Sequence, residues 1–268
     1  MNDLVFDARV VSNQEIGSDI RLLRLALPRS LEGFKAGVFL HLKVDPGPLP
    51  LFRRAYSLLS ARGNEVELLY KVTGAGTRLL ARREPGDTIS VVGPLGNSFT
   101  PPVDGEAAVM VAGGVGLPPM LRWTENLCEA GLARDRQVLL YGARQAGELV
   151  LRDRVEATGV RVEYATDDGS FGYHGRVTDL LAQEQIAARA HGRTLRYYAC
   201  GPAAMLAACA LFTQRTGVPG ELALETPMPC GSGVCLGCIV PCRNGDEVVY
   251  KRTCVDGPVF DAREVVWP

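Results

Sequence analysis

The sequence predicts a chain of three parts: an antiparallel β-domain, a doubly wound α/β domain with a parallel sheet, and a small carboxyl-terminal module with a β-hairpin. Short alternating runs between turn residues fill residues 1–102, which is typical of a small barrel or sandwich. From 103 to 220, continuous apolar strands alternate with segments of helical period, which predicts β-α-β order. Residues 221–268 combine clustered cysteines with an Asn-Gly turn, which predicts a compact module.

The first part contains six predicted strands, separated by turns rich in Gly, Pro and Asp. They cover residues 4–11, 20–27, 39–44, 56–60, 65–72 and 88–93. One short helix interrupts them at 77–83, directly after the glycine-rich stretch 74–76. The pair Pro101 and Pro102 marks the end of this domain.

The second part changes to strands of continuous apolar residues, each followed by a helical segment. The predicted strands are 107–112, 137–141, 161–165 and 196–199, and the predicted helices are 118–130, 148–158, 176–190 and 203–216. Parallel strands in this order carry helices on both faces and bind ligands at their carboxyl ends. The β-domain and the α/β domain are therefore expected to have different functions.

The third part contains a predicted hairpin over 239–250 that turns at Asn244 and Gly245, the strongest two-residue hairpin signal. Pairing across this turn joins residues whose numbers sum to 489. Cys235 and Cys254 satisfy that sum, so the hairpin is expected to fold the distant Cys254 back beside the other cysteines.

Composition limits the kind of protein this is. The 268 residues are 47% hydrophobic and 22% charged, with 29 Lys and Arg against 30 Asp and Glu, so no basic nucleic-acid arm is predicted. Apolar runs such as 107–112 are far shorter than the roughly 18 residues of a membrane span. The start, Met1 to Asp3, resembles no signal peptide. These features predict a soluble, cytoplasmic protein with reduced thiols.

Four of the eight cysteines follow a metal-cluster spacing: Cys230, Cys235, Cys238 and the distant Cys254. The x4 and x2 intervals are those of the plant-type [2Fe–2S] cluster, which needs four converging thiolates. Cys242 is interpreted as a bystander because four strand residues separate it from Cys238, about 13 Å at ~3.3 Å per residue. A structural zinc site and plain buried thiols are the alternatives, but zinc sites favour two short-spaced pairs.

Two elements of the first domain predict a dinucleotide flavin. In the run from Arg54 through Ala55 to Ser57, at a strand start, Arg54 suits a pyrophosphate, Tyr56 can lie against a planar ring and Ser57 can hydrogen-bond to the edge of a flavin. A barrel strand that begins with exposed arginines is the alternative. Gly76 and Thr77 open the short helix, whose free amides form an anion site. The strand end nearby in sequence is expected to line the same site with Leu69, Tyr70 and Lys71.

Two loops of the second domain predict a nicotinamide nucleotide site. The first follows the first parallel strand and contains Gly113, Gly114, Val115 and Gly116. Its glycines allow a tight turn and close approach of a ligand, although the spacing is not the G-x-G-x-x-G fingerprint. The second follows the last strand with Cys200, Gly201 and Pro202. A buried core thiol is the alternative interpretation of Cys200.

These motifs, in this order, resemble the ferredoxin-NADP reductase superfamily over residues 1 to about 220. The cysteine spacing, the stretch 166–170 and the stretch 254–260 are similar to the electron-transfer subunits of dihydroorotate dehydrogenase B. The resemblance implies a β-barrel that binds FAD, one [2Fe–2S] cluster on Cys230, Cys235, Cys238 and Cys254, and NAD as the hydride partner. It also implies an α2β2 heterotetramer with a TIM-barrel subunit that carries FMN and oxidises dihydroorotate in pyrimidine biosynthesis.

The implied route runs from dihydroorotate through FMN, the cluster and FAD to NAD+. Nicotinamide exchanges two electrons together and the cluster one, so a flavin is needed between them. The chain departs from the family at Ala55 and Tyr56, where members often have Pro-Ile, and at 225–229 before the first cysteine. A reductase subunit for another dehydrogenase, a hydrogenase or an oxygenase is the alternative, and a non-catalytic redox sensor is a second one.

Overall fold

The structure, a computed structural model, describes residues 4–47 and 50–267. Its first part is a closed antiparallel barrel with the strand order β1-β2-β5-β4-β3-β6. The elements are β1 (Val5–Gly17), β2 (Ile20–Ala26), β3 (Phe39–Leu42), β4 (Arg54–Arg62), β5 (Glu65–Lys71), the helix α1 (Ala75–Ala81) and β6 (Thr88–Leu95). Alternate strand residues such as Leu23, Leu25 and Leu68 are fully buried inside it. The predicted β-domain is confirmed, and the barrel form is decided by closure of β6 onto β1 and β3.

The second part is a seven-stranded sheet in the order β10-β9-β8-β7-β11-β12-β15. Its elements are β7 (Glu106–Gly113), α2 (Leu117–Glu129), β8 (Gln137–Ala143), α3 (Arg152–Glu156), β9 (Arg161–Thr166), β10 (Tyr173–His174), α4 (Val177–Ala190), β11 (Thr194–Cys200), α5 (Ala203–Thr216), β12 (Gly220–Ala223) and β15 (Val259–Asp261). Between β12 and β15, the strands β13 (Ile239–Asn244) and β14 (Glu247–Arg252) form a separate two-stranded sheet. All neighbours in the seven-stranded sheet pair in parallel except β12 with β15. The predicted doubly wound sheet is confirmed, and its chain order reverses between β7 and β11, where such sheets bind ligands.

Three short strands are not predicted by the sequence. β10, β12 and β15 have only two to four residues each, too few for an alternating pattern to be detected. β12 crosses the expected boundary at 220, and β15 returns from the third part of the chain to extend the central sheet. The division at 102 and 220 into separate domains stays a prediction.

The expected helix over 148–158 is wrong in its extent. Only Arg152–Glu156 is α-helical, and Leu151 before it has a left-handed φ of 58°. The preceding residues instead contact the barrel, where the Ser18 amide donates to the Gly147 carbonyl and Lys71 pairs with Glu148. Tertiary contacts therefore override the local helical pattern. No helix among the described residues is long and apolar enough to cross a membrane.

The hairpin of β13 and β14 forms as predicted, but its register differs. Asn244 pairs with Glu247, so the turn residues are Gly245 and Asp246, and paired numbers sum to 491 rather than 489. Because the shift is two residues, every side chain keeps its expected face. The amide of Thr253 donates to the carbonyl of Cys238, so Cys254 returns beside Cys238 instead of opposite Cys235.

Candidate functional site

A cavity of about 700 Å3 lies between the barrel, the carboxyl edge of the sheet and the segment that leads to the cysteines. Ten of the residues singled out from sequence line it: Arg54, Ala55, Tyr56, Ser57, Leu69, Tyr70, Lys71, Thr77, Val115 and Cys200. Sequence reasoning missed other lining residues: Gly37, Phe39, Phe52, Arg53, Thr73, Pro119, residues 223–229 and Pro258. Within this stretch, residues 225–229 stand out in the sequence only as a departure from the resembled family, since nothing local in them signals a ligand.

The first end of this cavity is built by Arg54 and the helix α1. A Cβ atom on Gly76 would lie 3.2 Å from Arg54 Nε. The absence of a side chain on Gly76 therefore lets the guanidinium lie close to the first turn of the helix. The Thr77 hydroxyl oxygen accepts hydrogen bonds from the backbone N–H groups of Thr73 and Gly74, at 2.9 and 3.0 Å. Thr77 therefore orders the turn, whereas Arg54 supplies positive charge beside amides that have no intrahelical acceptor.

The middle of the cavity is lined by Tyr56, whose hydroxyl is buried and has no partner among the described residues. Burial raises the pKa of Tyr56, so the phenol stays protonated and able to donate. Its ring meets the edge of Tyr70 at 5.8 Å, and the Tyr70 hydroxyl is already bonded to Asn13 Oδ1 at 2.9 Å. Tyr56 thus provides an aromatic wall with an open donor, which fits a planar, hydrogen-bonding ligand.

The loops after β7 and β11 meet at the far wall. A Cβ on Gly116 would lie 2.2 Å from the Cys200 carbonyl oxygen, and one on Gly113 would lie 2.8 Å from Pro202 Cδ. Both glycines are therefore required for the close packing of these loops. Gly114 differs, because it has a φ of 53° and open space around its Cα. Gly114 and its neighbour Val115, which lines the cavity, are therefore the loop residues that a ligand could approach.

Cys200 is 3% exposed at the end of β11. Burial, with a smaller effect of the Glu225 charge, raises the pKa of its thiol well above the usual range, so the thiol is neutral. Glu225 lines the same cavity, and burial raises the pKa of its carboxyl too. Cys200 therefore adds no charge to this wall of the cavity.

The four predicted ligand cysteines come together as two pairs. Cys235 is among the groups that lower the pKa of Cys230, and the Cys238 and Cys254 sulfurs are 3.3 Å apart. In the described parts of the chain, no three Cys, His, Asp or Glu side chains lie close enough to share one ion. Two thiols for each of two irons is the donor set of a [2Fe–2S] cluster, and the residues present fit that group.

Backbone amides support these sulfurs. The amide of Ser232 donates to Cys230 Sγ and that of Gly237 donates to Cys235 Sγ, each at 3.4 Å. Hydrogen bonds from Ser232 and from the Cys235 amide lower the pKa of Cys230 to about 5. Burial and the neighbouring Cys238 raise the pKa of Cys254 to about 11. The loop therefore has one sulfur pair near solvent and one buried pair.

Cys242 stands apart from the loop. It is fully buried on β13, opposite Val249, and bridges to Val265 in the apolar core beside the sheet. The structure therefore agrees with the interpretation of Cys242 as an ordinary core thiol.

Family models match most of the chain in three stretches. Residues 7–99 match an oxidoreductase FAD-binding domain, and residues 110–210 match an oxidoreductase NAD-binding domain. Residues 225–266 match the iron-sulfur cluster binding domain of dihydroorotate dehydrogenase B. The predicted FAD, NAD and iron–sulfur cofactors are confirmed at the level of these domains.

Relatives with an assigned function resemble nearly the whole chain. The electron transfer subunit of dihydroorotate dehydrogenase B (NAD(+)) from Desulforamulus reducens is 32% identical over 266 residues, 98% of each chain. Its counterpart from Bacillus caldolyticus is 39% identical over 242 residues, 86% of each chain.

Solved structures share the fold. A structure of the NADH-dependent reduced ferredoxin-NADP oxidoreductase has a TM-score of 0.82 and 28% identity, covering 97% of this chain and 90% of that one. A ferredoxin NADP+ reductase from Neisseria gonorrhoeae with bound FAD and NADP has a TM-score of 0.65 at 23% identity, covering 80% of this chain and 92% of that one.

Proposed function

The chain belongs to the electron-transfer subunits of dihydroorotate dehydrogenase B, and we propose that it connects a partner's FMN to NAD+ through a [2Fe–2S] cluster and FAD. In this proposal dihydroorotate is oxidised on the partner, in pyrimidine biosynthesis, and NAD+ receives the electrons. All eight cysteines are free, which fits the reducing cytoplasm as the site of the reaction.

One observation carries this proposal: the flavin cavity and the cysteine loop share a segment. Met228 and Pro229 line the cavity, and Cys230 follows them directly. Two cofactors that exchange electrons must lie close together, and the shared segment keeps their sites adjacent.

When bound, FAD supplies hydride exchange with nicotinamide and single-electron exchange with the cluster. Arg54, with Gly76 and Thr77, would hold the pyrophosphate of FAD. Tyr56 and Ser57 would lie at the ring system, with Leu69, Tyr70 and Lys71 closing the adjacent wall. The unpartnered Tyr56 hydroxyl supports this assignment, because a buried donor requires an acceptor.

The nicotinamide nucleotide would enter at the switch point between β7 and β11. Gly114 and Val115 would form its ledge, and Gly113 and Gly116 would hold the loop against the neighbouring strand. Cys200 would face it from the end of β11, with Gly201 and Pro202 in the loop that follows and lining the neighbouring cavity. The lining of one cavity by both Val115 and Cys200 supports a nicotinamide seated against the flavin.

Cys230 and Cys235 would bind one iron, and Cys238 and Cys254 the other. Cys235 is exposed, and the apolar side chains of Val234, Leu236 and Val255 near it are 81%, 57% and 51% exposed. Exposed apolar groups around a redox centre fit a partner surface. We assign this surface to a TIM-barrel subunit that carries FMN, in an α2β2 heterotetramer.

A second candidate is a reductase subunit for another dehydrogenase, hydrogenase or oxygenase. The likeness to the NADH-dependent reduced ferredoxin-NADP oxidoreductase over 97% of this chain favours it. Tyr56 also departs from the Pro-Ile of many dihydroorotate dehydrogenase members.

Co-expression with a dihydroorotate dehydrogenase catalytic subunit from the same organism tests the choice. We expect a stable complex that reduces NAD+ when dihydroorotate is added, with flavin and cluster absorption in the purified subunit. A complex that leaves dihydroorotate unused while NADH still reduces a dye would favour the second candidate. A colourless protein that binds one zinc would contradict the cluster.

A further inference from the structure

His41 is a fully buried polar side chain on the barrel strand β3. Its Nε2 lies 2.8 Å from the Met228 carbonyl oxygen. Since a carbonyl only accepts, the imidazole tautomer with a proton on Nε2 donates this hydrogen bond. A buried imidazole is costly unless it is bonded, so this contact holds the barrel to the segment just before Cys230.

The other ring nitrogen faces the cysteine loop itself. A Cβ atom on Gly231 would lie 2.7 Å from His41 Nδ1, closer than real Cβ contacts allow. Gly231 also has a φ of 72°, which favours glycine. The residue after Cys230 therefore approaches His41 only because it has no side chain.

Strand β3 also pairs with the strand that carries the proposed flavin residues. His41 is opposite Ala55 and Phe39 is opposite Ser57 in the register of β3 with β4. Phe39 packs in one apolar cluster with Met228, Cys238 and Cys254. A single short strand thus touches the flavin strand along its edge and the cysteine loop through its side chains.

We propose that His41 is a positioning residue for electron passage between FAD and the cluster. Its hydrogen bond to Met228 and its fit against Gly231 fix the cysteine loop to the flavin strand. This inference rests on the proposed function. In the proposed direction, two electrons from the partner's reduced FMN would cross the cluster one at a time to FAD, and with one proton from water they would leave as the hydride that reduces NAD+. NADH added to the purified subunit would drive the same transfers in reverse, with one of its two electrons passing to the cluster.

The first test uses the purified holoprotein with His41→Leu and His41→Gln. Leucine fills the space without a donor, whereas glutamine places an N–H at the same distance along the side chain as Nε2. Iron, sulfide and flavin contents are measured for each variant. Anaerobic stopped-flow mixing with NADH then follows flavin bleaching and cluster reduction as separate absorbance phases, and the reduced cluster is examined by EPR.

We expect His41→Leu to leave flavin bleaching unchanged and to slow cluster reduction about ten- to a hundredfold, as small misplacements of reacting groups do. His41→Gln should restore most of the rate and the EPR line shape. A rate per cluster in His41→Leu equal to that of the wild type would overturn the proposal. So would a His41→Gln rate as low as that of His41→Leu, because the hydrogen bond would then be irrelevant.

A second test approaches the contact from the loop and does not alter the barrel. Gly231→Ala adds a Cβ against His41, and Gly233→Ala is its matched control, with a φ of 78° and a Cβ that meets Val255 and Arg252 instead. Both variants carry the same kind of backbone strain. Cluster reduction should be slower in Gly231→Ala than in Gly233→Ala, and equal rates per cluster would contradict the proposal.

These outcomes are separate from those of the proposed function. If the wild-type cluster is not reduced by NADH, the proposed electron route itself fails. If the wild-type cluster is reduced and the His41 variants behave as wild type, only the role of His41 fails.

Discussion

The barrel has two junctions with the rest of the chain, and they are built from different chemistry. Toward the parallel sheet it forms ion pairs, with Lys71 Nζ 2.8 Å from Glu148 Oε1 and Arg154 Nη1 2.7 Å from Glu67 Oε2. Toward residues 228–259 of the third part of the chain the described contacts are apolar packing around Phe39 and hydrogen bonds between uncharged groups, from His41 to Met228 and between Asn97 and the backbone of 256–259. Both junctions are packed, since Ile20 and Leu59 of the barrel share a buried apolar cluster with Met120 of α2, but only the sheet side adds ion pairs to the packing.

The difference matches what each side has to do. A fixed charge beside an iron–sulfur cluster shifts its reduction potential, so a neutral contact fixes position without that effect. On the sheet side, Glu148 and Glu67 are only 7% and 14% exposed, so their partners must remain in place to compensate them. Substitutions at the cluster side should therefore change the rate of electron transfer, and substitutions at the sheet side should change the free energy of unfolding.

The largest effect is expected from breaking the cluster side with Cys254→Ser. Loss of even an outer-shell partner costs a metal site about 10- to 100-fold, so loss of a ligand should exceed that in partner-coupled activity. NADH-to-dye activity at FAD should persist. Cluster absorption, EPR and both activities measure this. Cys242→Ser is the control, since Cys242 is buried away from the loop. Equal loss of coupled activity in both variants would contradict the ligand assignment.

At the sheet side, Glu67→Gln is expected to have a smaller effect, a loss of folding stability. Although burial raises the pKa of Glu67, hydrogen bonds from Ser60, Arg154 and Arg24 lower it to about 2. A depressed pKa stabilises the fold fully above the ordinary value of 4.5 and loses this effect as pH falls toward 2. Glu67→Gln should therefore cost about 2 kcal/mol near pH 7 and much less near pH 3.

Urea unfolding at several pH values measures this dependence. Glu65→Gln is the matched control, because the Glu65 side chain is 45% exposed and its carboxylate comes no closer than 3.9 Å to Arg24 Nε. A cost of Glu67→Gln that stays constant from pH 7 to pH 3 would show that the carboxylate charge is not what matters.

The smallest effect is expected within the cavity that lies between the two junctions. Tyr56→Phe removes a hydroxyl with no protein partner, so the apoprotein should keep its stability while the Kd for FAD rises about fivefold, the value of one hydrogen bond. Tyr70→Phe is the comparison, since its hydroxyl already bonds to Asn13 and its loss should lower stability instead. Flavin fluorescence titration and thermal unfolding separate these two results, and an unchanged Kd in Tyr56→Phe would remove its proposed role.

Much of the site could be predicted because its chemistry is local in sequence. Arg54 to Ser57 lie on one strand, and Cys230, Cys235 and Cys238 lie in one loop, so spacing alone brings each group together. The stretch 223–229 could not be predicted in the same way. Its residues line the cavity only because β12 joins the central sheet beside β11, and a four-residue strand has no detectable period.

The sequence by itself determined the three-part order, the strand and helix periods and the cysteine spacing, because these depend on neighbours along the chain. The tertiary structure alone decided the two-residue shift of the hairpin, the short helix at Arg152–Glu156 and the burial of His41 against the cysteine loop. Each of these depends on contacts between residues far apart in sequence, whose free energies outweigh local preferences of a few tenths of a kcal/mol to about 1 kcal/mol per residue.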